Sequence, residues 1–335
     1  MLKDGKSGVT SLVPRGQLET SLPVTAPAPE RRQADNVALG IGLSLLAIVI
    51  FGIQDAISKL LVQDYSPFQI AMMRFWAFAV FSLILVMRQG PISQAFRSKS
   101  PWLQVFRAVL LVVDIWFFAS ALVDVPLAEL QAIVLVYPLM VTLVAIPILG
   151  EKVGIFRFSA VVVGFLGALL IVRPGGLPMT WGVLYAVLSA AAYAVYIALT
   201  RKVSSHDSTA TSMVYVGVIG LVMTTGVGIF FWKPMPLEDL GLVAVIMFTS
   251  TAAHGLMMVA LSRAPASTVQ PFNYTALPWG ILLSFVFFQH LIDAVSFLGA
   301  MVIVGAGLVV MLRERSLARK GRVAPVQPAE EAPPH

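Results

Sequence analysis

The chain has 335 residues, of which 58% are hydrophobic and only 12% charged, and its mean hydropathy is +0.86. Soluble domains carry about 25% charged residues, so the water-soluble globular class is excluded and lipid becomes the expected solvent. The formal charge of +6 must then be read loop by loop rather than as a nucleic-acid signal, and the lack of any cysteine removes disulfides, thiolate metal sites, iron–sulfur clusters and cysteine nucleophiles.

Residues 1–36 are rich in Pro, Ser and Thr with no apolar run, which predicts a disordered cytoplasmic tail rather than a secretory signal peptide. Ten apolar segments follow, at about 38–60, 67–87, 103–122, 128–149, 155–172, 179–200, 210–231, 240–261, 267–288 and 294–312. Each approaches the roughly 20 residues needed to cross a bilayer. The segments divide into 37–173 and 179–312, and a basic, Pro-rich cytoplasmic tail occupies 313–335. Lys and Arg near span ends are retained on the cytoplasmic side. With the N-terminus inside, Arg88, Arg97, Lys99, Arg107, Lys152, Arg157, Arg201, Lys202, Arg263 and the Arg313–Arg322 cluster all fall there. Only Arg173 and Lys233 fall outside, and Lys59 and Arg74 remain within spans. The expectation is a multi-pass protein of a bacterial inner membrane with both termini cytoplasmic.

The passage PLAELQAIVLVYPLMVTLVAIPILGEKV starts at Pro126, and PASTVQPFNYTALPWGILLSFVFFQHLI starts at Pro265, 139 positions later. Gln131 falls on Gln270, and Gly150-Glu151 fall on Gln289-His290. The first span, ending in Lys59, matches the sixth, ending in Arg201. Two units of five spans follow, and because five is odd the second must insert upside down. The fold class expected is all-α integral membrane, with ten transmembrane helices as two inverted five-helix repeats.

FGIQDAISK in the first span, Pro67 followed by Arg74 in the second, and ALVDVPLAELQAI…YP…LGEKV with Pro138 and Gly150-Glu151 together resemble the drug/metabolite transporter superfamily in its EamA-type branch. The Y…LTRK ending of the sixth span and PASTVQPFNYTALPW extend the likeness over about Val37 to Leu312. The resemblance implies peripheral fifth and tenth spans, and solutes such as amino acids, riboflavin or S-adenosylmethionine. One departure is His290, which stands where the family commonly repeats an acidic residue.

A charge in hydrocarbon costs at least ~2.5–3.5 kcal/mol, so each intramembrane ionisable group needs a partner or water. Asp55 and Lys59 are four apart on one helix face and form either an intrahelical pair or the edge of a solute cavity. Arg74 is expected to pair with Asp55 or Asp114, with a substrate-anion anchor as the alternative. Asp114, near the middle of the third span, must be protonated, paired or facing a wet cavity. His254, in TSTAAHG, is read as a packing residue or a proton relay. Gln131 and Tyr137 from one unit, with Gln270, Asn273 and Tyr274 from the other, are the expected solute contacts, since Pro138, Pro271 and Pro278 free carbonyls in corresponding places. Tyr196 and His254 complete the candidate substrate-binding set. Asp55, Lys59, Arg74 and Asp114 are the candidate charge or coupling residues.

No Gly-rich phosphate loop, HExxH or carboxylate-histidine cluster is present, so neither ATP hydrolysis, a metal nor a cofactor is expected. The expected partners are a small-molecule solute and the lipid bilayer, not nucleic acid, with a homodimer left open. The function expected is secondary transport of a largely uncharged or zwitterionic organic metabolite, with riboflavin or a similar vitamin-like aromatic favoured over an amino-acid or metabolite export role. A lipid-linked sugar flippase or intramembrane enzyme is the alternative of another class.

Overall fold

The computed structural model describes residues 29–89, 91–150, 154–173, 177–203, 207–264 and 269–322. Glu151 and much of the two expected tails lie outside them, as does the side chain of Gln270. The described residues are helical with no strand. In chain order the helices are α1 (Pro29–Leu61), α2 (Pro67–Gln89), the short α3 (Ile92–Ala95), α4 (Pro101–Asp124), α5 (Leu127–Val134), α6 (Tyr137–Leu149) and α7 (Ile155–Ile171). There follow α8 (Trp181–Val203), α9 (Thr209–Gly228), α10 (Leu237–Arg263), a 3-10 stretch Gln270–Thr275, α11 (Ala276–Phe288) and α12 (Ala294–Arg322). Helix thus begins at Pro29, upstream of the boundary expected at 36, and runs past 312 to Arg322.

Eight of these segments are long and apolar enough to cross a membrane, α5 and α6 counting together as Leu127–Leu149. Two of the ten expected segments are shorter, at Ile155–Ile171 and Phe272–Phe288. Seventeen residues of helix reach about 25 Å. That is slightly less than the hydrocarbon thickness of about 30 Å. The outward apolar side chains have lipid as their natural solvent. On α7, for example, Phe158, Val162, Phe165, Leu166 and Leu169 are all exposed.

Local chemistry sets the helix ends. Pro101 opens α4, where its missing N–H costs nothing, and Pro126 ends it by disfavouring the helical conformation at Val125. The α5–α6 segment breaks at Leu135–Val136, just before Pro138. The corresponding break in the second half is the 3-10 stretch ahead of α11. Helix α6 spans 137–149 and α11 spans 276–288, so their bounds coincide at the 139-residue offset seen in the sequence.

The helices pair across the chain: α4 packs on α8 and α1 on α10, while α2 packs on α9 and α7 on α12. Helix α6 also packs on α8, as α11 does on α1. The α7–α12 crossing is close enough that a Cβ built on Gly167 would lie 2.7 Å from the carbonyl oxygen of Gly299. Glycine there lets two backbones touch, the packing device of helices that have no hydrophobic effect to drive them together in lipid.

Candidate functional site

A cleft lies between α2, α4, α9 and α10, its empty space about 280 Å³ with the open solvent at its mouth included. Arg74, Phe75 and Phe78 of α2 form one wall, and Leu111 and Ile115 of α4 a second. Val216 of α9 with Ser250 and His254 of α10 close it from the other half of the chain. Arg74 sits two turns inside α2, about 10 Å from its start. Among the described residues it makes no hydrogen bond or salt bridge within the protein, although Asp55 and Asp114 both lie within its electrostatic reach. The direct pair expected with one of these carboxylates is therefore not formed among the described residues.

Each acid is held instead by a neutral donor on another helix. Gln131 of α5 donates its Nε2 to Asp55 of α1 at 2.8 Å, and Ser189 of α8 donates its hydroxyl to Asp114 of α4 at 2.6 Å. Each carboxylate thus has one side-chain donor from another helix, and the Arg74 guanidinium, bound directly to neither, faces the cleft. Lys59 turns away from Asp55. Its ammonium donates to the carbonyls of Leu122 at 2.8 Å and Val125 at 2.9 Å, with the Phe288 ring 5.7 Å away. The intrahelical Asp55–Lys59 pair is not formed because the C-terminal carbonyls of α4 lack intrahelical donors and sit at the negative end of that helix.

His254 places Nδ1 2.8 Å from the carbonyl oxygen of Ser250, one turn back on its own helix. Its ring is held edge-on by Phe51 at 4.9 Å and Phe78 at 5.4 Å between centroids. Packing and cavity lining are thus both satisfied by one side chain.

Tyr137, at the α5–α6 break, accepts a hydrogen bond from Asn273 Nδ2 at 2.9 Å. Two of the expected solute contacts therefore meet each other across the two halves. Tyr193 extends this contact, edge-on to Tyr137 at 4.9 Å and stacked on Tyr196 at 5.8 Å. Tyr196 is drawn to the far end of α8, where its hydroxyl and ring meet Arg107. Tyr274 is buried and turned toward Gly307 of α12, away from the cleft.

Two polar clusters escaped the sequence reading. Arg107, read there as a topological charge, is buried and donates to Gln104, Tyr196, Thr200 and the carbonyl of Ser212. Gln104 in turn donates to Asp207 at 2.8 Å, which ties together the ends of α4, α8 and α9. At the opposite end of the bundle, His290 Nε2 and Glu129 Oε1 are 2.8 Å apart and join α5 to the residue after the α11 cap. These partners are 161 positions apart, so no local spacing signals them. Among the described residues no cluster of side chains has the makeup of a metal site.

The sequence match decides what kind of machine this is. The model of the EamA-like transporter family matches the chain twice, at residues 38–173 and 180–312. The chain belongs to the EamA-like transporter family. It is therefore a multi-pass membrane transporter and not an enzyme. A riboflavin transporter of Rhizobium johnstonii is 28% identical over 280 residues, covering 82% of this chain and 92% of that protein. An S-adenosylmethionine uptake transporter of Rickettsia bellii is 23% identical, covering 84% of this chain and 97% of that protein. A Vibrio cholerae riboflavin transporter is 29% identical over 68% of this chain and 78% of its own length. A solved crystal structure shares the fold, with a TM-score of 0.59 at 19% identity, over 85% of this chain and 99% of the other. The cleft is lined from both family matches: Arg74 to Ile115 belong to the first, and Val216 to His254 to the second.

Proposed function

We infer that the chain is a bacterial inner-membrane secondary transporter that moves a small, net-uncharged or zwitterionic organic metabolite by alternating access, and that riboflavin is the first solute to test. The observation that carries this reading is the cleft shared by the two matched halves, walled by phenyl and aliphatic side chains around Arg74 and His254. Ligand sites of inverted-repeat transporters lie at such interfaces between the repeats. The coincident bounds of α6 and α11 and the reciprocal pairing of α4–α8 with α1–α10 support two inverted five-helix units. Relatives named as riboflavin transporters support an aromatic solute, and those named for S-adenosylmethionine support a competitor that carries an amino-acid group and a net positive charge.

The test is uptake of labelled riboflavin, S-adenosylmethionine and a panel of amino acids into proteoliposomes, with and without an imposed proton gradient. Saturable uptake of one solute above empty vesicles is the expected result; uptake of none removes the reading. Both termini are assigned to the cytoplasm from the basic-residue asymmetry. In this cysteine-free chain, Met179→Cys, at an exposed position, should label with an impermeant maleimide in intact cells. Protection of that site until the cells are opened would reverse the orientation.

A further inference from the structure

The polar groups of the cleft form an asymmetric set. Arg74 brings five N–H donors and no acceptor. His254 holds Nδ1 against the Ser250 carbonyl, which can only accept, so this contact assigns the ring proton to Nδ1 and leaves Nε2 as an acceptor. Nε2 has no partner among the described residues. Asp55 and Asp114 are not among the residues lining the cleft, and each already holds a donor from another helix. The described wall therefore offers a guanidinium fork, the neutral acceptor of His254 and the Ser250 hydroxyl, which can donate or accept, with no carboxylate.

Three solute chemistries meet this wall differently. An ammonium group would face Arg74 with no lining carboxylate to compensate it. A bare anion would satisfy Arg74 but set its lone pairs against that of His254 Nε2. A cyclic imide, O=C–NH–C=O, presents an acceptor beside a donor in one plane, matching the fork and the imidazole together. The apolar body of such a ring suits Phe75, Phe78 and Ile115. A net-neutral solute also leaves the balance among Arg74, Asp55 and Asp114 unchanged inside the membrane.

We propose that the cleft takes the cyclic-imide edge of a planar, net-neutral heteroaromatic solute, with Arg74 donating to a ring carbonyl and His254 Nε2 accepting from the ring N–H. The proposal rests on the transporter reading and names its solute class. Flavins and pyrimidine nucleosides share this edge, so riboflavin and uridine are separate arms of the test.

The experiment compares half-saturation for uptake into proteoliposomes of riboflavin, 3-methylriboflavin, uridine and S-adenosylmethionine, by the unaltered chain and by His254→Phe and Arg74→Lys. Blocking the imide nitrogen removes one hydrogen bond and leaves an acceptor unpaired, which should weaken half-saturation about tenfold. His254→Phe should weaken riboflavin by a similar factor and leave 3-methylriboflavin unchanged, whereas Arg74→Lys should weaken both. The methylated solute needs no variant, so a misfolded His254→Phe leaves the test intact. Equal half-saturation for riboflavin and 3-methylriboflavin overturns the proposal while the transporter reading stands. Refusal of both riboflavin and uridine with accumulation of S-adenosylmethionine does the same. Refusal of all four solutes also overturns it, and the fate of the transporter reading then rests on the amino-acid panel.

Discussion

Gly150 and Gln289 occupy the same left-handed backbone position, with φ of 69° and 52°, at the C-terminal caps of helices 139 residues apart. Their N–H groups close on matching carbonyls, Gly150 on Ile146 at 3.1 Å and Gln289 on Phe285 at 2.9 Å. One half uses the residue that adopts this conformation freely and the other a residue that is strained in it. Gly150→Ala should therefore destabilise the detergent-solubilised protein by about 1 kcal/mol. Gln289→Gly should be neutral or stabilise by up to about 1 kcal/mol, because relief of the strain is partly offset by the greater freedom of glycine in the unfolded chain. Melting temperatures of the two variants check this directly, and a stabilising Gly150→Ala would contradict it.

Lys59 joins the end of α1 to the end of α4 through the carbonyls of Leu122 and Val125. Lys59→Met keeps the unbranched side chain, one atom shorter, and removes both hydrogen bonds. Leaving partly buried carbonyls without them should cost about 1–3 kcal/mol. The expected readout is a lower melting temperature with partial recovery in Lys59→Arg. If Lys59 instead acted only through Asp55, Asp55→Asn would reproduce the loss, and it should not.

Asp293 precedes α12 and accepts from the Ser296 hydroxyl, from Arg173 Nη2 at 2.7 Å and from the backbone N–H groups of Val295 and Ser296. The Ser296 hydroxyl, and after it the Arg173 guanidinium, hold this carboxyl well below the usual range. A depressed folded value means stability that is present above the unfolded value, about 4, and is lost as pH falls below it. Asp293→Ala should cost about 1 kcal/mol at neutral pH through loss of the helix cap. The penalty should shrink on acidification below about pH 4. Melting curves between neutral and acid pH measure it; a penalty that grows toward acid would contradict the assignment.

The apolar spans, the 139-residue repeat and the break before Pro138 were legible in the sequence because each leaves a local signature: a run, an offset or a proline. The polar partners were less so. The i, i+4 spacing of Asp55 and Lys59 predicts a pair, yet Gln131 lies 76 positions from Asp55 and the Lys59 acceptors more than 60 from Lys59, and these tertiary partners won. Backbone carbonyls carry no residue code, so a lysine that caps another helix looks like an unmatched charge in sequence. Arg107 shows the converse: it lies near a span end, where topology alone accounts for a basic residue, and the fold buries it. Arg74 and His254 were singled out as costly groups in lipid. Their meeting in one cleft depends on the α2–α10 packing, which spacing does not encode.

Asp114 is the candidate residue for proton coupling. It lies deep in α4, held by Ser189 and within reach of Arg74. A coupling group must take a proton facing one side and release it facing the other. Asp114→Asn keeps the shape and an acceptor for the Ser189 hydroxyl while abolishing titration. Proton-driven accumulation of riboflavin should vanish and counterflow exchange should persist. Undiminished accumulation by a normally folded Asp114→Asn would reduce this residue to a structural role.

Under the proposed function, solute passes through the cleft between the two matched halves. Val216 lines that cleft, and the chain contains no other site for thiol chemistry once Val216→Cys is introduced. The decisive measurement is riboflavin uptake by Val216→Cys in proteoliposomes before and after reaction with a bulky maleimide, with riboflavin added as protectant in a parallel reaction. The modified protein should no longer transport, and riboflavin should slow the modification. Full transport by quantitatively modified protein would contradict it.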